Sequence, residues 1–171
     1  RRQDQGNKSP VRFIIFAAVA FVATTSCKRE PVPTGFESPS ATIDSLFRAY
    51  DVQDISQEEA RRRLQARERF SLVDANLFRQ CFSDWQGEHD HALGGFVFGQ
   101  LVAAKDELEI TIEDDVARVR VAPEDSEIRP IVIVKRDRAW KIDLHQSIAP
   151  EIRQSLYEVY RRARRAERQA R

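Results

Sequence analysis

Two alternating runs separated by a pair of aspartates leave residues 107–121 little choice of architecture. In "ELEITIE" the side chains of Leu108, Ile110 and Ile112 share one face, and "VARVRV" repeats the alternation with Ala117, Val119 and Val121. A period of two marks a strand with one buried face. With Asp114-Asp115 as the turn, Ile110 falls opposite Val119, Glu109 opposite Arg120 and Thr111 opposite Arg118. One register thus satisfies the apolar and the charged face together, whereas a slip of one residue would invert both. The pattern predicts an antiparallel hairpin.

A second hairpin follows. Ile131 to Val134 is a continuous apolar run, and after the charged turn "RDRA" the chain continues through Trp140, Lys141, Ile142, Asp143 and Leu144. Pairing Lys135 with Trp140 sets Ile133 against Ile142 and Ile131 against Leu144. Val132 and Val134 make the opposite face apolar as well, which predicts an interior strand covered on both sides.

Helical spacing dominates before the hairpins. Ser38 or Ser40 can cap a helix with Pro39 in its first turn and Ile43, Leu46, Phe47 and Tyr50 on its buried face. Ser56 and Glu59 have the spacing of a capping box ahead of Ala60 and Leu64, with Arg61 to Arg63 towards solvent. A third helix from Asp74 is expected to carry Leu77, Phe78, Cys81, Phe82 and Trp85. A fourth, through Leu93, Phe96, Val97 and Leu101, is weakened by Gly94, Gly95 and Gly99. After the sheet, Ile152, Leu156 and Val159 give a C-terminal helix an apolar stripe.

With 171 residues, 42% of them hydrophobic, the chain can build one core plus tails. Helices followed by an antiparallel meander of about four strands define an α+β domain, a curved sheet packed on N-terminal helices with a helix added at the C-terminus. "VARVRV", "IVIVKRDRAWKIDL" and the aromatic helices before them resemble the nuclear transport factor 2-like fold over roughly residues 39–146. That resemblance implies a cone-shaped domain of the kind found in many bacterial lipoproteins, with the helix at 147–171 beyond its usual core. Some members of the fold are isomerase-like or dehydratase-like enzymes with an Asp or His base inside the cone, but fold alone transfers no activity.

The N-terminal segment sets the expected location. Arg1, Arg2, Lys8 and Arg12 precede the uncharged run Phe13 to Ala23, "FIIFAAVAFVA". That run fits a signal peptide's apolar region of about 7–15 residues and is short of the ~20 needed to span a bilayer. Thr24, Thr25 and Ser26 then lead into Cys27. The segment, 1–27, resembles a bacterial lipoprotein signal peptide, in which a small residue precedes the cysteine that is lipidated. Thr24 stands where that motif prefers Leu, Val or Ile. Diacylglyceryl and N-acyl chains on Cys27 would exceed the single chain that holds a protein only marginally at a membrane. Cleavage by an ordinary signal peptidase near Ser26 and an uncleaved interfacial anchor are the alternatives. Residues 28–38, rich in Pro, Ser and Gly, read as a flexible tether. The chain contains no methionine, so it starts downstream of an initiator or is a fragment.

If Cys27 is lipidated, Cys81 is left as a lone thiol that should be buried and inert; otherwise a Cys27–Cys81 disulfide becomes available. Catalytic signals are weak. The inward positions of the sheet, from Leu108 to Leu144, are apolar, and Asp143 and His145 fall on the other strand face. "GEHDH" at 87–91 offers Glu88, His89, Asp90 and His91, but a structural or catalytic metal site needs three or four placed ligands, and the segment reads as a surface loop. "GGFVFG" lacks the Gly-Lys-Ser/Thr ending of a phosphate loop and reads as close helix packing. No cofactor or metal is implied.

The formal net charge of +1 conceals an arginine-rich end with Arg161, Arg162, Arg164, Arg165, Arg168 and Arg171. Positive charge suits a helix C-terminus. The same arginines, 161 to 168 in particular, could meet an anionic lipid or envelope polymer at about 1 kcal/mol each. The expectation is an exported, lipid-anchored envelope protein facing the periplasm or exterior, with a non-catalytic partner- or ligand-binding domain. Its partners would be the membrane through Cys27 and an envelope protein or small apolar ligand, not nucleic acid. The alternative is a small-molecule-binding or isomerase-like pocket in the same fold; a third reading, in which the apolar start is not an export signal, has the basic tail bind nucleic acid in a salt-sensitive way.

Overall fold

The computed structural model describes residues 33–122 and 128–170. Cys27, the apolar run before it and Arg171 lie outside the described residues.

Helix α1 (Pro39–Ala49) starts as its sequence predicts. Ser38 accepts the Ala41 N–H through Oγ at 3.1 Å, with Pro39 in the first turn. Its buried face carries Ile43, Leu46 and Phe47. Two polar residues on that side, Thr42 and Ser45, donate to the carbonyls of Trp140 (2.7 Å) and Gly35 (2.8 Å). Gly35 has φ +91, and a Cβ there would lie 2.5 Å from Ser45 Oγ. Phe36, in the stretch read as tether, is a core residue whose carbonyl accepts from Trp140 N at 2.9 Å.

In α2 (Gln57–Gln65) Ser56 caps the Glu59 N–H, while the Glu59 carboxylate turns to Arg62 and Arg63 instead of closing the capping box. Those two guanidiniums, Arg62 first, pull the Glu59 carboxyl down to about 2. The helix ends in a Schellman turn: Glu68 N–H bonds Arg63 O, Arg67 N–H bonds Leu64 O, and Arg67 takes φ 56.

Helix α3 (Ala75–Gln80), capped by Asp74, is shorter than its apolar spacing suggests. Cys81 O accepts from Ile142 N at 2.8 Å and Ser83 N donates to Ile142 O at 2.8 Å, so residues 81–83 act as a strip of sheet beside residue 142. Cys81 is, among the described residues, a free and fully buried thiol. Burial pushes it from 9.0 up to about 12.

Helix α4 (Asp90–Ala103) is apolar nearly all round and runs through the core. A Cβ on Gly94 would sit 2.5 Å from Phe78 Cζ and 2.8 Å from Phe82 Cζ, so this glycine does mark a close helix approach.

Strands β1 (Glu109–Glu113), β2 (Val116–Arg120), β3 (Ile131–Arg136) and β4 (Ala139–Ile142) form an antiparallel meander in the order β1-β2-β3-β4. The first hairpin has the expected register, Glu109 to Arg120 and Ile110 to Val119, and the second pairs Ile133 with Ile142 and Lys135 with Trp140. β3 is buried on both faces. Two expectations fail at the margins. Ile112 is 54% exposed, because the apolar cover thins towards edge strand β1. Leu144 does not pair with Ile131: Asp143 instead caps a short helix, α5 (Leu144–Ser147), that packs on β3. There Ser147 Oγ accepts from Val132 N at 2.9 Å and donates to the Asp143 carbonyl at 2.5 Å.

Helix α6 (Pro150–Gln169) forms where its apolar stripe predicts, and that stripe is only partly covered. None of its 20 residues is buried. Leu156 and Tyr157 rest against the core, but Ile152 and Val159 of the apolar stripe are 40% and 59% exposed. Among the described residues no helix is long and apolar enough to cross a membrane.

Candidate functional site

Where α6 meets the segment before α4, the surface opens into a hollow of about 480 Å³ lined by Gln86, His89, His145, Tyr157, Tyr160 and Arg161. Two aspartates beneath it fix the rings. Asp84, 61 residues from His145, accepts the N–H groups of Leu144 and His145 at 3.0 Å each and the Nδ1 of the His145 ring. A carboxylate only accepts, so Nδ1 carries the hydrogen and Nε2 is the ring's remaining polar atom. Asp90, only 1% exposed, accepts from Gln86 N at 2.7 Å, Gly87 N at 3.3 Å and the Tyr157 hydroxyl at 3.2 Å. Desolvation first, and the Asp90 charge second, raise the Tyr157 phenol, so it stays a donor. The His89 ring meets Tyr157 edge-on at 5.4 Å.

"GEHDH" is therefore more than a surface loop. Its Asp90 is a buried bracket for Tyr157, its His89 lines the hollow, and its Glu88 lies 3.7 Å from Arg164 of α6. His91 points elsewhere, stacked against Phe78. Among the described residues no group of three or more His, Cys, Asp or Glu side chains could hold a metal ion. His145 comes together with His89 and with Asp84, not with Asp143, whose carboxylate is occupied by Gln146 N and Nε2.

The arginines divide. Arg161, Arg164, Arg165 and Arg168 line, with Tyr160, a second hollow of about 240 Å³ that shares Tyr160 and Arg161 with the first. Arg162 turns to Glu158 at 3.8 Å. Arg164 is held by Glu88 and Glu167, whereas Arg161, Arg165 and Arg168 have no carboxylate within 4.0 Å among the described residues. An amphipathic helix whose arginines mostly gather along one groove, with positioned rings at one end, can bind an anionic or ring-bearing partner.

One sequence signal for this site is easily passed over. Asp143-Leu144-His145-Gln146 has capping-box spacing, and Gln146 N and Nε2 both return to Asp143 at 2.8 and 2.9 Å. It marks the helix start that puts the His145 backbone and ring on Asp84.

The architecture is that of an α+β domain with an appended amphipathic helix and a groove along it. No family model, curated protein or solved structure matches the chain.

Proposed function

We propose that this is an exported envelope protein, anchored through lipidated Cys27, whose nuclear transport factor 2-like domain is a non-catalytic module that binds a partner along α6. The observation that carries the binding half is α6 itself. It is a 20-residue helix with no buried residue, and three of its arginines that line the groove, Arg161, Arg165 and Arg168, have no carboxylate within 4.0 Å among the described residues. The interior favours a module over a pocket. Ala117, Val119, Ile131, Ile133 and Ile142 on the sheet are fully buried in one cluster with Phe78, Leu93, Val97 and Leu101, so side chains fill the sheet's inner face. The anchor rests on the sequence: the charged start, the short apolar run and the small residues before Cys27.

Native mass spectrometry of the full chain, purified in detergent from a lipoprotein-processing bacterium beside a Cys27→Ser control, tests the anchor. A mature chain starting at acylated Cys27 is expected, and an unprocessed chain in both samples refutes it.

The second reading, a small-molecule or isomerase-like pocket, gains one observation. The Asp84–His145 pair sits at an open hollow, the arrangement that orients a general base. It would work beside α6 and not inside the cone. A retained small molecule in the same spectrum, lost on His145→Ala, favours this reading.

A further inference from the structure

The two hollows along α6 share Tyr160 and Arg161, and their chemistry changes from one end to the other. At the His145 end, Tyr157, Tyr160 and His89 line the hollow together with Gln86 and His145. At the other end the lining is arginine apart from Tyr160. Arg161, Arg165 and Arg168 follow one another at i, i+4 and i+7, so their Cα atoms are spaced by about 6 and 4.5 Å along the helix axis. The rings are held before any ligand arrives, Tyr157 by buried Asp90 and His145 by Asp84, which lowers the ordering cost of binding.

We infer that this groove binds a segment of an acidic polysaccharide, with sugar rings on Tyr160 and His145 and acidic substituents on Arg161, Arg165 and Arg168. The inference deepens the partner-binding reading and rests on it. A pyranose chain offers what the groove is built to meet: apolar ring faces for tyrosine, hydroxyls for the Gln86 amide and the imidazole, and negative groups at intervals for guanidiniums. A bilayer surface is flat, whereas these groups line a recess. A nucleic acid carries a phosphate at every unit, and the carboxylates of Asp84 and Asp90 beneath the rings oppose that at the His145 end.

The test is calorimetric titration of the full-length chain in neutral detergent with hyaluronan and unsulfated chondroitin oligomers, in which a charged uronate alternates with an uncharged sugar. A neutral glucan oligomer, oligo-dT and phosphatidylglycerol vesicles are run in parallel. Binding of at least one acidic saccharide is expected, at least about tenfold tighter than the neutral one. Tyr160→Ala should weaken it about fivefold to tenfold, and the double variant Arg165→Gln, Arg168→Gln by about tenfold or more. Both changes are on exposed or half-exposed positions, and an unchanged circular dichroism spectrum confirms the fold. Failure of both acidic saccharides to bind overturns the inference, as does binding indifferent to Tyr160→Ala, which is charge attraction alone. Tighter binding to oligo-dT assigns the groove to nucleic acid instead, and tighter binding to the vesicles assigns it to lipid. Acylation of Cys27, read on the same sample, separates the two proposals. An acylated chain that ignores acidic saccharides refutes only the ligand class, and an unacylated chain that binds them refutes only the anchor.

Discussion

The layer between α4 and the sheet and the exposed flank of α6 are built on opposite terms. Around Phe78 the interior is closed: its ring contacts those of Tyr50, Phe82, Trp85 and His91 at centroid distances of 5.0–5.6 Å, and Gly94 leaves no room for a methyl group. Buried hydroxyls there are committed too, Thr42 and Ser45 to α1's neighbours and Ser147 to β3. Along α6 the apolar stripe is half uncovered, and four guanidiniums, those of Arg153, Arg161, Arg165 and Arg168, have no described acidic partner. Packing determines the first region's sequence, whereas on α6 only Leu156, Tyr157 and Arg164 are tied to the rest of the domain by the contacts described above. Residues that the fold does not require are where a partner's chemistry is best sought.

The contrast can be broken most forcefully at Phe78. Phe78→Ala should cost about 3–5 kcal/mol in urea unfolding, because its cavity is walled by other rings that cannot all collapse into it. A loss below about 1 kcal/mol would mean the aromatic layer is not the closed region described. Gly94→Val attacks the same layer from the other side, forcing Phe78 and Phe82 apart at about 1–3 kcal/mol, seen as a lowered Tm.

Alkali probes the closed region through its thiol. Cys81 is held neutral, with its folded value raised above the unfolded one, so its contribution is complete below pH ~8.5 and is lost as pH rises towards about 12. Stability should fall across about pH 9–11 by up to about 1.4 kcal/mol per unit from this group, and Cys81→Ala should flatten that slope. Tyr50, also pushed up to about 12 by burial, adds to the fall only above about pH 10. Arg67→Gly should raise stability by about 1 kcal/mol, since Arg67 occupies at φ 56 the position where a Schellman turn favours glycine. Smallest of all, Tyr160→Ala on α6 should change stability by no more than about 0.5 kcal/mol while weakening ligand binding, a separation of effects that no residue of the Phe78 layer should show.

The same contrast explains what can be read from the chain. The β1–β2 register is legible because two faces, one apolar and one charged, agree on a single alignment. The α1 and α2 starts are legible because Ser38 and Ser56 do their capping locally. The end of α3 is not, since Cys81 and Phe82 continue its apolar spacing while the backbone there bonds to Ile142 of β4, far along the chain. Periodicity shows that one face of α6 is apolar and is silent on what covers it, which the exposure of Ile152 and Val159 decides. At the site, the arginines are visible as composition, but their division between the groove and Glu158 depends on helical phase against α4. The Asp84–His145 contact has no pairwise signal at all, although the Asp143 to Gln146 spacing announces the helix that creates it.

The sheet's two margins are finished differently. On one side, Phe36 and the strip at 81–83 bond to β4, so its outer edge is occupied. On the other, β1 ends the strand order, with Ile112 uncovered and Glu109, Thr111 and Glu113 alternating with its apolar residues. A sheet with one margin closed can gain a strand on the other side, but it cannot hand an open margin on to the next copy. Self-association through β1 therefore stops at a pair, and a carboxylate at each end of the strand discourages even that pairing. Crowded on a membrane, as the proposed anchoring would place them, neighbouring copies would be kept by this one-sided finish from growing into fibres.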